Sequence, residues 1–507
     1  MNQSNAIFEK YWGYFALFAW IGLAILLDLV RFTPFAIDEE AAKGLLLTWT
    51  IADNVVNPIV IFGMPDFRAL LYAPVGAYWS GNIIATKVMA LTIAFIAVTM
   101  FFRWSRRTTD PEVALIASVL LLISPIMISQ VDSLSAGPYI LMGFAFGAWL
   151  DKAYRKNDLY FGGWYFTQML WVAILATLHP VALAYPIALA WHWYRNPHPV
   201  KKSRHLYVGL AVTALLAIAM RAGWSGIEFF TNPFAALAEA LQGSIIWSAS
   251  DLNWVPGIIA GLLLALLIVV DFKALSKDLL SQMMLVAILL GLFMPDKNWA
   301  LIAITLLIYR GTFFIVKLNQ SRNKTGRMGQ RGIVITAALI VSAFFMLQDK
   351  NYALTIRHAI LAPIDEMIQS LMVEAEDPLK PFRAASEWPG RTMLATKRDV
   401  LPLPPAIEDP EKMLEAVKSV THIIFNPFVA KNKPLANSIS ALGGETETLA
   451  LYQAGAIIKV RDSNVPLTTS QRLARERKDE QKAKEKTAPQ ENAALEAEPE
   501  EKQNPAE

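Results

Sequence analysis

Three consecutive carboxylates, Asp38, Glu39 and Glu40, follow the first apolar block of the chain. Adjacent acids raise each other's pKa unless a cation or a basic side chain sits among them. A triplet of this kind suits a general base, a divalent-metal ligand, or both, with Asp38 and Glu39 the residues for either role. It would also serve as a solvated loop, or as acids favouring the N-terminus of a helix over 41–50 through its dipole. A further acid, Asp66, precedes the next apolar span, followed by Arg68, Tyr72, Tyr78 and Trp79. A guanidinium among aromatics suits a phosphate whose sugar or isoprenoid stacks on the rings. An interfacial aromatic belt with a snorkelling arginine would carry the same residues.

Other candidates follow along the chain. Lys87 stands near one end of the second span, as an anion ligand or a snorkelling lysine. His179 lies between Leu178 and Pro180, placed to donate to a phosphate or sugar hydroxyl or to cap helix ends. Asp132, Arg221, Asp251, Trp254, Asp296 and Lys297 fall on the same side and together could line a cavity. Asp28 and Arg31, at i, i+3, pair with each other. No phosphate-binding Gly-rich loop, metal-type histidine pair, nucleophile elbow or dinucleotide fingerprint is present. An enzyme with acids on one membrane face and no nucleotide motif on the other takes an activated donor from the membrane itself.

The elements that must position these residues are mostly apolar helices. Of 507 residues, 54% are hydrophobic and 18% charged, and the mean hydropathy is +0.37. The apolar residues come in blocks near the ~20 residues that a spanning helix needs. The net charge of +3 averages over segregated charges and says little. The absence of cysteine excludes disulfides, thiolate catalysis and thiolate-bound metal. The block 12–30 is long for a signal-peptide core and lacks a small-residue cleavage site, so it reads as a retained anchor.

The pattern predicts an all-α polytopic transmembrane bundle of about eleven spans. They fall near 12–32, 83–102, 113–130, 137–150, 161–178, 181–194, 206–222, 255–272, 278–294, 300–318 and 331–348. His179-Pro180 joins two of these as a tight hairpin. Arg103, Arg106, Arg107, Lys152, Arg155, Lys201, Lys202, Lys273 and Lys277 crowd one set of loops, and few basic residues occupy the other. Lys and Arg mark the cytoplasmic side. The N-terminus is therefore expected in the cytoplasm, with loops 33–82, 131–136, 223–254 and 295–299 outside. The whole reads as a multi-pass protein of the plasma (inner) membrane. Beyond the membrane domain, 1–348, the segment 349–465 is expected to form a small extracytoplasmic α/β domain. The rest, 466–507, is Lys-, Glu-, Ala-, Gln- and Pro-rich and reads as a disordered tail.

Three places resemble the GT-C superfamily of membrane glycosyltransferases, in the branch of protein O-mannosyltransferases and lipid A aminoarabinose transferases. Ile37-Asp38-Glu39-Glu40 is similar to the acidic motif of that family's first outer loop. Pro65 to Trp79 resembles its proline- and tyrosine-containing approach to the second helix. Ala176-Thr177-Leu178-His179-Pro180 resembles its mid-chain histidine-proline turn. The chain departs from the family at two places: Met64-Pro65-Asp66 lacks a double proline, and Ala136-Gly137-Pro138 has Asp132 as its nearest acid.

The resemblance implies a polyprenyl-phosphate sugar as donor and a glycolipid, polysaccharide or protein hydroxyl as acceptor, within membrane lipid and without nucleic acid. It implies Asp38 as base, with Glu39 positioning the acceptor or, with Asp38, holding a divalent cation such as Mg or Mn. Arg68, Tyr72, Lys87, Asp132, His179, Arg221 and Lys297 would bind substrate, and the sugar would be transferred with inversion. Two other classes fit the composition. A transporter or lipid flippase would place its charged sites near the bilayer midplane, and an assembly protein would work through 349–507.

Overall fold

The computed structural model describes residues 39–53, 67–78, 83–156, 160–196, 204–220, 241, 254–292, 296–322, 327–351, 357–375 and 380–465. By its contacts the chain divides into two units, Met1–Ala362 and Pro363–Glu507.

The described part of the first unit is helical. Two short helices, α1 (Glu39–Asp53) and α2 (Phe67–Tyr78), pack on each other ahead of α3 (Ile83–Thr108). Next come α4 (Pro111–Leu122), α5 (Pro125–Asp132) and α6 (Gly137–Arg155), then α7 (Phe161–Leu178) and α8 (Ala184–Arg195). The unit continues with α9 (Arg204–Met220), α10 (Trp254–Leu275), α11 (Leu279–Gly291), α12 (Lys297–Arg322) and α13 (Arg327–Asn351).

Four of these are long and apolar enough to cross a membrane: α3, α7, residues 257–275 of α10, and residues 297–318 of α12. The pair α4 and α5, bent by 48°, makes a fifth if taken as one span. Ser124 and Pro125 cause the bend: the serine side chain caps the new helix at Met127 N–H, and the proline starts it. Of the eleven expected spans, 12–32 lies outside the described residues, and the others coincide with helices or helix pairs. Several are short or charged. Thirteen residues of α11 rise about 20 Å against a hydrocarbon core of about 30 Å, and α6 ends on Asp151, Lys152 and Arg155. Length and composition thus support four or five crossings among the described residues.

Burial ranks these helices. In α12, 67% of the apolar window is buried, against 17% in α10. α12 touches α4, α5, α6, α10, α11 and α13, so it is the centre of the unit. Leu262, Leu266, Val269 and Val270 of α10 remain exposed, as side chains facing lipid would be. Close approach is built into α11, where a Cβ on Gly291 would overlap the indole of Trp299. Arg310 of α12 is buried and paired with Asp271 of α10.

In the second unit, five strands form a mixed sheet in the order β2-β1-β3-β5-β4. β1 (Ala384–Ser386) lies parallel to β2 (Val400–Pro402) and β3 (His422–Phe425). β5 (Gly455–Val460) runs antiparallel to β3 and to β4 (Thr446–Tyr452). Helices at Pro389–Thr396, Pro410–Val417 and Lys433–Ser440 complete it. Met413, Val417, Ile423, Phe425, Leu435 and Ile439 form its core. The buried Arg391 pairs with Asp365.

Candidate active site

The candidate residues that the structure describes gather at one end of the helical unit, around the turn between α5 and α6. Asp132 ends α5. A carboxylate there opposes the helix dipole, and Lys87 of α3 offsets it with an ion pair at 2.5 Å. The lysine is buried, its side chain 3% exposed. It therefore has a fixed carboxylate partner rather than an extended route to water.

Two residues later, Leu134 is buried with φ 52°. A left-handed conformation costs a non-glycine residue roughly 1–2 kcal/mol. Here it accompanies a long-range bond, since the Leu134 carbonyl accepts from the Arg68 guanidinium of α2 at 3.0 Å. A Cβ on Gly44 of α1 would meet the Leu134 side chain at 3.5 Å, so α1 packs on the same turn. Glu39 opens α1, five residues before Gly44 and about 7.5 Å along the axis. It forms an i, i+4 pair with Lys43 at 3.8 Å. Tyr72 is buried, its ring edge-on to Tyr139 of α6 at 6.1 Å. Its ring therefore braces α2 against α6 rather than lying open to stack on a sugar.

A second cluster adjoins the first through Gly137. The Gly137 N–H donates to Asn298 Oδ1 at 2.8 Å and to Gln130 Oε1 at 3.2 Å. Asn298 Nδ2 in turn donates to Asp296 at 2.8 Å. Asp296 also caps α12 by accepting from Trp299 N–H at 2.8 Å. Its other partner is His179, with Nε2 to Oδ2 at 2.8 Å. His179 breaks α7 with an extended backbone, and its Nδ1 accepts from Val181 N–H at 3.1 Å. With Nδ1 accepting, Nε2 is the nitrogen that carries the proton toward Asp296. Lys297 is exposed and, among the described residues, makes no ion pair.

Burial by itself would push the Asp296 carboxyl up, but His179 and the bonds from Trp299 and Asn298 outweigh it and hold it below 3.8. A depressed carboxyl stabilises the fold fully above its unfolded value and loses that contribution as pH falls through the folded one. The melting-temperature gap between wild type and Asp296→Asn should therefore close as pH falls below 3.8. Thermal melts over that range check it. Gly137→Ala should destabilise by about 1–3 kcal/mol, because its Cβ would stand 2.5 Å from Gln130 Oε1. Denaturation of the detergent-purified chain reads that out.

No protein-family model matches the sequence, and no curated protein matches it. Among solved structures the chain is similar to the oligosaccharyltransferase of Archaeoglobus fulgidus in its apo form, with a TM-score of 0.52 at 11% identity. The same protein tethered to an acceptor peptide containing the NVT sequon gives 0.53 at 12%. Each match covers 91% of this chain and 76% of the other. At this identity the likeness is one of fold.

Within this fold, Glu39, Arg68, Tyr72, Lys87, Asp132, His179 and Lys297 all stand on elements joined at or next to the α5–α6 turn. Asp38, Asp66, Arg221 and Asp251 lie outside the described residues. Among the described residues no three His, Asp or Glu are grouped to hold a metal. Glu39, the described half of the expected cation pair, is engaged with Lys43. Sequence reasoning missed Gln130, Leu134, Tyr139 and Asn298. The aspartate before Lys297-Asn298-Trp299 was readable as an N-cap, but a carbonyl turned by a left-handed leucine leaves no sequence signal.

Proposed function

We propose that this chain is an integral membrane glycosyltransferase that moves a sugar from a polyprenyl-phosphate donor to an acceptor hydroxyl at the extracytoplasmic face, with inversion. The observation that carries this reading is the closure of the first loop's helices onto the α5–α6 turn through Arg68 and Leu134, on a GT-C fold. It brings the acid-bearing start of α1 onto the same assembly as Asp132 and the His179–Asp296 pair. The similarity to an enzyme that acts on glycans supports the class. The protein domain order, with the second unit outside the membrane, belongs to the same proposal.

In this reading Asp38 takes the proton of the acceptor hydroxyl, with Glu39 at the helix start holding the acceptor. The acceptor oxygen attacks the anomeric carbon from the face opposite the phosphate. The carbon–oxygen bond to phosphate breaks, and the polyprenyl phosphate leaves with the electron pair. Lys297, exposed and without an ion-pair partner among the described residues, is the described cation best placed to meet that charge. Arg68 is bound to Leu134 and Lys87 to Asp132, so both set the loop geometry. Asp38 and Glu39 remain the side chains that would bind a divalent cation, and no step above is routed through one.

The test is transfer of labelled sugar from polyprenyl-phosphate donors in purified membranes, comparing wild type with Asp38→Asn and Glu39→Gln at matched expression. Transfer by wild type that Asp38→Asn abolishes supports the reading. No transfer from any donor, with Asp38→Asn still complementing the cell, overturns it in favour of transport. The buried Arg310–Asp271 pair within the spans would then be the first transport site to probe.

A further inference from the structure

A separate pocket lies between the C-terminal halves of α3 and α6, with a volume of about 150 Å³. On α3 its wall is Met100, Arg103, Trp104 and Arg107, at i, i+3, i+4 and i+7. On α6 it is Ala145, Ala148, Trp149 and Lys152, with the same spacing, plus Phe146. One helical stripe from each partner therefore faces the other.

The lining is graded along the helices. Met100, Ala145 and Phe146 make the inner part apolar. Trp104 and Trp149 follow one turn on, and Arg107 and Lys152 stand in the last turns. Arg103 lies over the Trp149 ring at 5.8 Å. No carboxylate lines the pocket. Among the described residues, none forms an ion pair with Arg103, Arg107 or Lys152. The walls are held from behind: Trp104 Nε1 donates to Asp278 at 3.0 Å, and its ring packs on Tyr309 at 5.1 Å. Trp149 packs on Phe146 at 5.5 Å.

We propose that this pocket binds the phosphate headgroup of an anionic phospholipid, in the leaflet opposite the candidate active site. Three cations converge on one concavity against a single nearby carboxylate, Asp278, which acts on Lys152 from beside Trp104, so the site keeps an excess of positive charge and attracts an anion. The gradient from cationic mouth to apolar, aromatic-walled interior selects an amphiphile over a free ion, because only an amphiphile fills both ends. A volume of about 150 Å³ has room for the phosphate group itself, with the acyl chains lying along the lipid-facing helices. The Arg- and Lys-rich loops beside it are those assigned by charge to the cytoplasmic side, where anionic lipids concentrate.

Native mass spectrometry of the full chain in neutral detergent, titrated with phosphatidylglycerol, phosphatidylcholine or inorganic phosphate, tests this. Phosphatidylglycerol should be retained in preference to phosphatidylcholine. Arg107→Ala and Lys152→Ala should each weaken it about fivefold, with melting temperatures unchanged, and Lys152→Arg should restore it. Equal retention of the two lipids overturns the proposal. So does unaltered phosphatidylglycerol binding by folded Arg107→Ala/Lys152→Ala. Displacement of phosphatidylglycerol by inorganic phosphate of equal affinity also overturns it, since the site would then take a free anion.

Discussion

Asp38→Asn is expected to lower sugar transfer by about 10²–10⁴-fold, the usual loss when a general base is removed. The effect should fall on the chemical step, because asparagine keeps the size and most hydrogen bonds of aspartate while losing its basicity. Glu39→Gln should cost less. In the proposed mechanism Glu39, which opens α1 beside Lys43, holds the acceptor and does not take the proton. Initial rates at saturating donor, measured over a range of acceptor concentrations, separate the two. Asp38→Asn should depress kcat, and Glu39→Gln should act mainly through KM. An Asp38→Asn enzyme that transfers at the wild-type rate would reduce the acid triplet to helix-end charges.

The second large effect belongs to stability. Lys87→Met should destabilise the helical unit by roughly 3–5 kcal/mol, because it removes the buried cation that faces the Asp132 carboxylate. Adding Asp132→Leu should recover most of that loss, since removing both charges also removes their desolvation cost. Thermal melts of the detergent-purified single and double variants measure both quantities. If Lys87→Met melts like wild type, the lysine reaches water and the ion pair contributes nothing. The double variant also bears on function: with folding restored, any remaining loss of transfer measures what the pair does for the geometry of the α5–α6 turn.

The His-Pro turn at 179–180 that ends α7 was legible because its signal is local. The Ser-Pro break at 124–125 and the Asp296 cap of α12 carry equally local signals, but the hydropathy of 113–130 reads as one unbroken span and hides the first. Apolar blocks of spanning length, a switch to proline-punctuated sequence after 348, and short β-rich runs at 421–425 and 456–460 are local too. These suffice for a polytopic helical protein with a small mixed-sheet domain. The number of crossings was less legible, because helices as short as α8 and α11 fill a bundle without spanning it alone.

By itself the sequence determined that the chain is built of membrane helices, that its polar candidates segregate to helix ends, and that an acid triplet stands in the first long loop. Only the tertiary structure decided which groups those polar side chains meet. Lys87, readable as a snorkelling lysine, pairs with an aspartate 45 positions away. Arg68, readable as a phosphate ligand, donates to a carbonyl 66 positions away. Tyr72 packs on Tyr139 rather than facing a sugar, and His179 finds Asp296 on another helix. The reason is physical. Every face of such a helix is apolar enough to meet either lipid or a neighbour, so hydropathy does not say which faces pack. The partner of a buried charge is set by that packing.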